Sequence, residues 1–475
     1  MKICAVIAEF NPLHNGHEYL LKQARTLSKA DAVLVILGGN FTQRGEPSLV
    51  SKTVRARQAL ACGADVVVEL PIYGAVLSAQ DFAREAVKIA SSFKYVTHLV
   101  FGSESGDIAS ISELAKFLVN EPDYFKAEIS AALEQGYSLP VSKSRALSIV
   151  TGERFKKFTN PESVSELLNK PNNTLAVEYV KALIKLNSSI TPLTVQRMDN
   201  QTKPKPDTTS DFTNGSAIRK TLYASVSSSG TNSFVRNSAT AEEKLGQQVR
   251  GLLLSSSSRA TANIRAASTA QLAKEERANV TNTSQVRRFM PRESFKLLNN
   301  EIKARGFPNL KAFSLLALGT LRTKSAKELG PLYDMAEGLN NKLISTAREA
   351  VSLGEMVGKI VSKRYTASRI QRLCLVSILG IKQSIVDELK EQTSPAFIKV
   401  IAVKDDPQLL KQLTTTCPLI LRHSDIACLN DELPSELIRA ENVANAIYAM
   451  LLDLNEAELK AFLETNDFYS KTVFV

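Results

Sequence analysis

The sequence predicts an α/β protein in which a doubly wound parallel sheet is followed by a mainly helical C-terminal domain. Three observations support this class. Short apolar runs alternate with amphipathic segments in the first part of the chain, small polar residues dominate at 223–284, and helical apolar spacing prevails afterwards. We therefore expect domains at 1–222 and 285–475, joined by a low-complexity connecting segment at 223–284.

The first domain supplies the strands of the predicted sheet. The strands are expected at 3–7, 32–37, 65–70, 97–101 and 193–197, and the helices between the first four at 18–27, 53–61 and 80–91. Residues 107–150 have a helical pattern. Parallel sheets of this kind bind ligands at the carboxyl ends of their strands, where His14, Gly38, Gly39 and Gly102 fall.

Residues 7–17 are predicted to join the first strand to the first helix. The first turn of a helix has unpaired N–H groups and the positive end of the helix dipole, so it suits an anion. Gly16 lets the backbone approach a phosphate, and Pro12 stiffens the turn. His14 and His17 are three residues apart, a spacing that places two residues on one helix face. We expect both imidazoles to hydrogen-bond nucleotide phosphates and, when protonated, to offset charge developing at the α-phosphate.

Two other interpretations of this histidine pair remain open. The spacing is compatible with a metal site, but no Cys, Asp or third His lies nearby in sequence, so we assign no metal ligands. A capped loop without chemistry is the other alternative. We favour phosphate binding because two of the chain's four histidines flank a glycine in the first strand-to-helix turn.

Further polar residues fall near the same predicted edge. Arg44 and Lys52 are candidates for holding pyrophosphate or an acidic substrate, or else for a solvated loop. Asn172 is expected to cap the helix that begins beside it or to contact a nucleotide. Residues 214–220 contain another helix start that suits a phosphate.

The last third of the chain predicts helices and a basic cluster. Helices are expected at 291–305, 310–321, 337–353 and 368–379, and two short strands of a small α/β ending at 397–403 and 418–421. The cluster flanks Tyr365 and comprises Lys359, Lys363, Arg364, Arg369 and Arg372. It suits an RNA backbone with one base stacked on the tyrosine ring; a solvated helix face is the alternative.

Composition limits the possible classes of protein. Lysine and arginine total 59 against 48 acidic residues, and this surplus of 11 permits a polyanionic partner. Five scattered cysteines without a CxxC spacing predict reduced thiols and a cytoplasmic location. No apolar run of about 18 residues occurs, and Met1 and Lys2 lead directly into a strand, so we expect neither a membrane span nor a signal peptide.

Seven sequence blocks follow one another along the chain: 9–17 (EFNPLHNGH), 39–47 (GNFTQRGEP), 64–71 (ADVVVELP), 101–104 (FGSE), 170–173 (KPNN), 216–219 (SAIR) and 363–372 (KRYTASRIQR). With these blocks in this order, the chain resembles the tRNA(Met) cytidine acetate ligases, a bacterial branch of the HxGH nucleotidylyltransferase-like superfamily. HxGH alone indicates nucleotidyl chemistry. The FTQRGEP and KRYTxxRIQR blocks point to this branch.

The resemblance implies a Rossmann-like HUP nucleotidylyltransferase domain and a basic tRNA-binding domain. The implied reaction activates acetate with ATP as acetyl-adenylate, releases pyrophosphate, and acetylates N4 of the wobble cytidine in elongator tRNA(Met). Mg2+ is expected to accompany the triphosphate.

The resemblance also implies site residues, with His14 and His17 catalytic. The ATP-binding residues would be Ile7, Ala8, Glu9, Phe10, Asn11, Pro12, Leu13, His14, Asn15, Gly16, His17, Glu18, Tyr19, Leu20, Gly102, Asn172 and Arg197. Ser216 and Arg219 would form a second phosphate motif, although Gly215-Ser216-Ala217 stands where a Ser-Thr pair usually precedes the Ile-Arg. The tRNA contacts would be Lys363, Arg364, Arg369 and Arg372.

Two other functions are weighed against this one. A small-molecule adenylyltransferase needs little beyond the sheet domain, whereas this chain continues into a long basic helical part. A tRNA-binding protein without turnover has no need of His14, Gly16 and His17, which are all present.

Overall fold

In the computed structural model, the apolar runs at the start of the chain form the centre of one sheet. The structure describes residues 1–153, 167–168, 170–198, 211–228, 283–429, 431–464 and 472–474. Most of the predicted connecting segment, residues 229–282, lies outside these ranges. The strands are β1 (Ile3–Ala8), β2 (Ala32–Gly38), β3 (Val66–Leu70), β4 (Val96–Ser103), β5 (Thr191–Gln196), β6 (Ile398–Val403), β7 (Leu419–Ile420) and β8 (Val473–Phe474).

Helices surround the sheet and build the C-terminal part. Those of the first part are α1 (Asn15–Ser28), α2 (Lys52–Ala61), α3 (Ile72–Ala75), α4 (Ala79–Ser92), α5 (Ile108–Asn120), α6 (Asp123–Glu134), α7 (Leu139–Glu153), α8 (Pro171–Lys185) and α9 (Gly215–Ser228). Those of the second part are α10 (Arg292–Arg305), α11 (Leu310–Thr323), α12 (Ala326–Leu329), α13 (Leu339–Glu349), α14 (Leu353–Ile360), α15 (Ala367–Leu379), α16 (Gln383–Glu391), α17 (Pro407–Gln412), α18 (Glu432–Met450) and α19 (Glu456–Glu464). Within the described ranges, none of the helices has the length and apolar character needed to cross a bilayer.

The strand order confirms the doubly wound prediction. It is β5-β4-β1-β2-β3-β6-β7, with β8 beside β6, and β1 to β5 are mutually parallel. The winding reverses between β1 and β4, so the carboxyl ends of these two strands form the topological switch point, where such sheets bind ligands. The turn that carries His14 and His17 follows β1 directly.

Apolar residues on both faces of the sheet hold it between helices. On one face, Ile36 of β2 belongs to a core with Phe82 of α4 and Ala176 of α8. On the other face, Val35 belongs to a core with Leu21 of α1 and Ala59 of α2. The long apolar runs of β1 and β2 are explained by this burial on both sides.

The predicted small α/β ending is wrong in its pairing. Both predicted strands exist as β6 and β7, but β6 pairs antiparallel with β3, with Val403 opposite Val66, and so extends the N-terminal sheet. The sheet is therefore mixed. Without β6, strand β3 would present an open edge of unpaired backbone groups.

One predicted helix is also two. Residues 337–353 break between α13 and α14, because Ala350 is extended and Ser352 caps the second helix. The Ser352 hydroxyl accepts a hydrogen bond from the Glu355 N–H at 3.1 Å. A Ser followed three residues later by Glu is a helix-start signal that sequence reasoning passed over.

A buried charge network joins helix α18 to the sheet. Lys52, for which a solvated or ligand-holding position was expected, is 2% exposed. Its ammonium pairs with Glu69 of β3 and with Glu441 of α18, the latter at 3.0 Å. Burial and the neighbouring Glu69 carboxylate raise the pKa of Glu441 to about 7. Lys52 is therefore a structural cation and not a ligand-binding one.

The FTQRGEP loop between β2 and α2 packs against the start of α15. Gly45 in this loop has φ +81°, and a Cβ there would lie 2.6 Å from the backbone nitrogen of Arg372 and the carbonyl carbon of Gln371. Two of the family-specific blocks are thus in direct backbone contact. Only glycine permits both the conformation and the approach.

We predict that Gly45→Ala lowers the free energy of unfolding by roughly 2–5 kcal/mol. A left-handed non-glycine residue costs about 1–2 kcal/mol, and overpacking a contact adds about 1–3 kcal/mol. The matched control is Gly136→Ala, since Gly136 has φ +82° and nothing within 4 Å of an added Cβ. Urea denaturation of both variants measures the difference, and equal losses would contradict the contact with α15.

Candidate active site

The turn after β1 is anchored in the core and tied to the FTQRGEP loop. Phe10 and Leu13 are buried, and Phe10 adopts φ +47°, a left-handed conformation that is strained for a non-glycine residue. The Asn11 side-chain oxygen accepts a hydrogen bond from the Leu49 N–H at 2.8 Å. Together these contacts fix the backbone that carries the two histidines.

His14 and His17 form a capping box at the start of α1. His14 is the N-cap, and its Nδ1 accepts from the Gly16 N–H at 3.1 Å, while His17 Nδ1 accepts from the His14 N–H at 3.3 Å. The two rings stack with centroids 3.7 Å apart. In a neutral imidazole whose Nδ1 accepts a hydrogen bond, the proton is on Nε2. Both rings can thus act as Nε2–H donors.

The pKa of His17 lies well below its ordinary value. Burial is the largest cause, protonation of His14 and the Arg197 charge would each disfavour a second cation, and a hydrogen bond with the Pro12 backbone acts in the opposite direction. His17 is therefore held neutral, so it acts as a hydrogen-bond donor and not as the fixed positive charge that the sequence also allowed.

Arg197 reaches the switch point from the end of β5. Its backbone N–H donates to the Ser103 carbonyl at 2.9 Å, and its Nη1 donates to the Asn172 side-chain oxygen at 3.3 Å. A Cβ on Gly102 would lie 3.4 Å from Arg197 Cγ, so Gly102 leaves room for the arginine stem. The structure thus brings the predicted residues Gly102, Asn172 and Arg197 together.

Asn172 does not cap helix α8 as one interpretation expected. Lys170 is the N-cap residue and Pro171 is the first residue of the helix. The Lys170 side chain makes no capping hydrogen bond. The Glu104 carboxylate serves instead, accepting from the Asn172 and Asn173 N–H groups at 3.2 and 2.8 Å. It also accepts from Asn172 Nδ2 at 2.6 Å, which orients that amide.

Sequence reasoning did not assign roles to Glu104 and Asn173. Asn173 returns the contact, because its side-chain oxygen accepts from the Glu104 N–H at 2.9 Å. A carboxylate at a helix N-terminus also complements the helix dipole. The sequence signal for this reciprocal pair of hydrogen bonds was that Glu104 and Asn173 both lie in the quoted blocks, FGSE and KPNN.

The second predicted phosphate motif meets the first turn. Helix α9 begins at Gly215, where an added Cβ would lie 2.9 Å from the Asn11 carbonyl oxygen. Arg219 Nη1 donates to that same oxygen at 2.7 Å, and its Nη2 donates to the Ser216 hydroxyl at 3.3 Å. Two helix starts, α1 and α9, therefore converge on one point.

Glu9 places a carboxylate between these elements. Its Oε1 accepts from the Gln43 N–H at 2.6 Å. Burial raises the pKa of Glu9, and the charges of Arg55, Arg44 and Arg219 act in the opposite direction. The charges of these three arginines therefore favour the ionised form of Glu9, while the role of the exposed Arg44 stays a prediction.

Arg55 is a buried support that sequence reasoning did not identify. Its Nη1 donates to the carbonyls of Glu9 and Gly38 at 2.6 and 3.0 Å, and its Nε to that of Val50 at 3.1 Å. Burial lowers its pKa to about 10. Arg55 ties the ends of β1 and β2 together from within α2.

Several residues of the predicted ATP-binding set have structural contacts in this turn. Asn15 Nδ2 donates to the carbonyls of Asp211 and Arg288, both at 2.8 Å. Glu18 pairs with Lys22 at 3.0 Å, and the Tyr19 ring meets Phe212 edge-on at 6.4 Å. The remaining members that pack in or against the apolar cores are Ile7, Ala8 and Leu20.

Acidic neighbours surround much of the predicted tRNA-binding cluster. Arg369 donates from Nε and Nη2 to Asp334 at 2.9 and 2.7 Å, and Arg364 pairs with Glu337 at 3.0 Å. Arg372 is half-buried, whereas Lys363 is exposed. Tyr365 is only 8% exposed, so the prediction of an open ring for base stacking is wrong.

In the described part of the chain, no group of three or more His, Cys, Asp or Glu side chains is placed so that it could hold a metal ion. Glu9 and Glu104, the carboxylates near the switch point, each accept backbone hydrogen bonds. We derive no step through a protein-bound metal.

Comparison with known proteins gives a consistent result along the whole chain. The family described as HIGH Nucleotidyl Transferase matches residues 1–251 and 253–461. The tRNA(Met) cytidine acetate ligase of Acetivibrio thermocellus is 30% identical over 455 residues, covering 95% of both chains. That of Caldanaerobacter subterraneus is 32% identical over 426 residues, covering 89% of both. The crystal structure of Thermotoga maritima TmcAL bound with alpha-thio ATP matches with a TM-score of 0.78 and 26% identity, covering 100% of both chains.

We predict that the His17 ring does not titrate near pH 6.5, because its environment favours the neutral form. The folded pKa lies below the unfolded one, so the unfolded chain binds more protons between the two values. The associated stability is present above pH about 6.5 and is lost as pH falls towards the folded pKa.

Two-dimensional NMR of the histidine rings at decreasing pH measures this directly. The variant His17→Gln assigns the signal and should flatten the pH dependence of unfolding in that window. Titration of the His17 ring at or above pH about 6.5 would contradict the neutral state that its burial favours.

Proposed function

The chain belongs to the HIGH nucleotidyl transferases and to the tRNA(Met) cytidine acetate ligase family, and from this premise we propose that it acetylates N4 of the wobble cytidine of elongator tRNA(Met) at the expense of ATP. The observation that carries the proposal is the pair of stacked histidines at the topological switch point, with both Nδ1 atoms occupied by backbone donors. Binding of ATP by this chain is supported by its similarity to the Thermotoga maritima structure bound with alpha-thio ATP.

The first half-reaction forms acetyl-adenylate. A carboxylate oxygen of acetate attacks the α-phosphorus of ATP, the bond to the β-phosphate oxygen breaks, and pyrophosphate leaves. His14 and His17 donate from Nε2 to phosphate oxygens, and the positive end of the α1 dipole favours the same charge. Arg197 contacts phosphate and, through Asn172, is held by the Glu104 cap. Catalysis here is positioning plus charge stabilisation.

The second half-reaction transfers the acetyl group. N4 of the cytidine attacks the carbonyl carbon of acetyl-adenylate, AMP leaves, and the amine releases a proton. AMP carries the negative charge of the broken acyl bond, which the same donors stabilise.

The other site residues complete the nucleotide pocket in this proposal. Residues 7–20, with Gly102, Asn172 and Arg197, bind ATP, while Ser216 and Arg219 at the start of α9 contact a phosphate. Mg2+ accompanies the triphosphate, with phosphate oxygens and water among its ligands. Acetate is the acyl donor. The reduced cysteines are consistent with a cytoplasmic location.

The helical part holds the tRNA. The proposed contacts are Lys363, Arg364, Arg369 and Arg372. Among them, Lys363 and Arg364 are exposed. The guanidinium group of Arg369 donates two hydrogen bonds to Asp334, so its proposed role is to hold the local structure of the cluster. Strand β6 of the second part pairs with β3 of the first, so both parts share one sheet. The division at 1–222 and 285–475 is therefore proposed as a division of function, between ATP binding and tRNA binding.

We predict that His14→Ala or His17→Ala slows acetyl-adenylate formation by about 10²-fold or more, because each change removes a donor to the transition-state charge. The measurement is acetate-dependent exchange of labelled pyrophosphate into ATP, with and without tRNA. The proposal is wrong if the wild-type protein shows no acetate-dependent exchange in either condition.

The matched control is His423→Ala. His423 is an exposed histidine in the turn His423–Cys428, remote in sequence from β1 and α1. Its exchange rate should equal that of the wild type. Near-normal exchange in the His14 and His17 variants would remove these two residues from the mechanism.

A further inference from the structure

A basic cavity lies in the helical part of the chain, apart from the switch point. It has a volume of about 700 Å³ and opens between the segment joining α11 to α12 and the length of α13. Its polar lining consists of Lys324, Ser325, Asn341, Lys342, Ser345 and Arg348. None of these residues belongs to the predicted tRNA-binding cluster.

Among the three cations of this cavity, Lys324 has an acidic neighbour, since hydrogen bonds from Ser325 and the charge of Lys324 lower the pKa of Glu328. Lys342 and Arg348 are exposed and Lys324 is half-buried, and no ion pair is found for any of them among the described residues. The predicted cluster differs, since Arg364 and Arg369 each pair with an acid. The cavity therefore carries an excess of positive charge, with Lys342 and Arg348 as its exposed cations.

The geometry of α13 directs this charge towards one face. Lys342, Ser345 and Arg348 are spaced three residues apart, so they share one side of the helix. Gly338, the N-cap of α13, also lines the cavity and supplies no side-chain acceptor to the first turn. The N-terminal N–H groups of this 11-residue helix thus add to the attraction for an anion.

The cavity is continuous with the exposed part of the predicted cluster. Lys342 Nζ lies 5.5 Å from the centroid of the Tyr365 ring, and Arg364 lies 5.9 Å from the same centroid. Lys363 is the exposed residue next in the chain. Cations of the cavity and of the cluster therefore meet at Tyr365, where Arg364 is also paired with Glu337.

We propose that the Lys324–Lys342–Arg348 cavity binds the sugar-phosphate backbone of the tRNA substrate. The inference rests on the proposed function for the identity of the polyanion. Pockets for free small molecules are mostly apolar, whereas this lining combines flexible cations with hydroxyl and amide groups, which are the usual phosphate contacts of RNA-binding proteins.

The test compares the double variant Lys342→Ala/Arg348→Ala with wild-type protein in binding labelled elongator tRNA(Met). Each lost phosphate contact should reduce the slope of log affinity against log salt by about 1, so we expect a reduction of about 2. At about 50 mM salt, affinity should fall on the order of tenfold. Unchanged affinity and slope would overturn the proposal.

The control variant is Lys116→Ala/Lys411→Ala. Both lysines are exposed, on α5 and α17, and the pair removes the same charge from the sheet-bearing side. It should leave the slope within the range of the wild type. An equal loss in the control would mean that overall charge, and not this cavity, determines binding.

Pyrophosphate exchange separates this inference from the proposed function. The Lys342→Ala/Arg348→Ala variant should exchange at the wild-type rate without tRNA, since the cavity is apart from the nucleotide site. Absence of exchange in the wild type would defeat the proposed function, whereas normal exchange with unchanged tRNA affinity in the variant would defeat only this inference.

A second measurement on the unaltered protein does not depend on the folding of a variant. Amine-reactive labelling of Lys324 and Lys342, read by mass spectrometry, should decrease when tRNA is added. Protection by ATP alone would reassign the cavity to a free nucleotide, and protection by an acidic polypeptide but not by tRNA would reassign it to a protein partner. Either result would overturn the proposal.

Discussion

The buried pairing of Lys52 with Glu69 and Glu441 is the contact on which the relation between the sheet and the helical part depends. All three side chains are almost completely excluded from solvent, so their charges are stabilised by one another and by the buried Lys399, whose ammonium lies 3.8 Å from Glu69. Removing one partner from such a group typically costs about 3–5 kcal/mol, because an uncompensated charge remains. Gly39 lies against both carboxylates, with 3.3 Å between each of them and an added Cβ, so the loop after β2 is fitted around this network.

One face of helix α18 makes further contacts with the sheet-bearing part of the chain. Glu441, Asn445 and Tyr448 are spaced four and three residues apart, and the last two reach the loop after β2 as well. Asn445 Oδ1 accepts from Asn40 Nδ2 at 2.8 Å, and the Tyr448 hydroxyl donates to the Ser48 carbonyl at 3.0 Å. The loop in turn donates the Gln43 N–H to Glu9, so a C-terminal helix sets the position of a carboxylate beside the histidine turn.

The histidine turn uses each imidazole for two purposes. One nitrogen of each ring satisfies a backbone N–H of the first turn of α1, which stabilises the helix start. The same bond sets the tautomer, because an accepting Nδ1 leaves the proton on Nε2. Burial beside Arg197 keeps His17 neutral, so the donor does not change its charge within the ordinary pH range of an imidazole. Structural capping and the proposed phosphate binding therefore depend on the same local geometry.

The sequence by itself determined the features that depend on neighbouring residues. The apolar runs placed β1 to β4 to within about two residues, and the alternation with helices predicted that His14 and Gly102 lie at the carboxyl edge of a parallel sheet. These features follow from local burial and from the short span of residues 9–17.

Tertiary structure alone decided which charges are available. Lys52 and Glu441 are 389 residues apart in the chain, and no local pattern indicates that they meet. The same holds for β6 against β3, for the burial of Tyr365 and for Asp334 beside Arg369. A charged or aromatic side chain can bind a ligand when it faces solvent, but not when a distant element buries it or forms an ion pair with it. Only the folded chain brings such an element near.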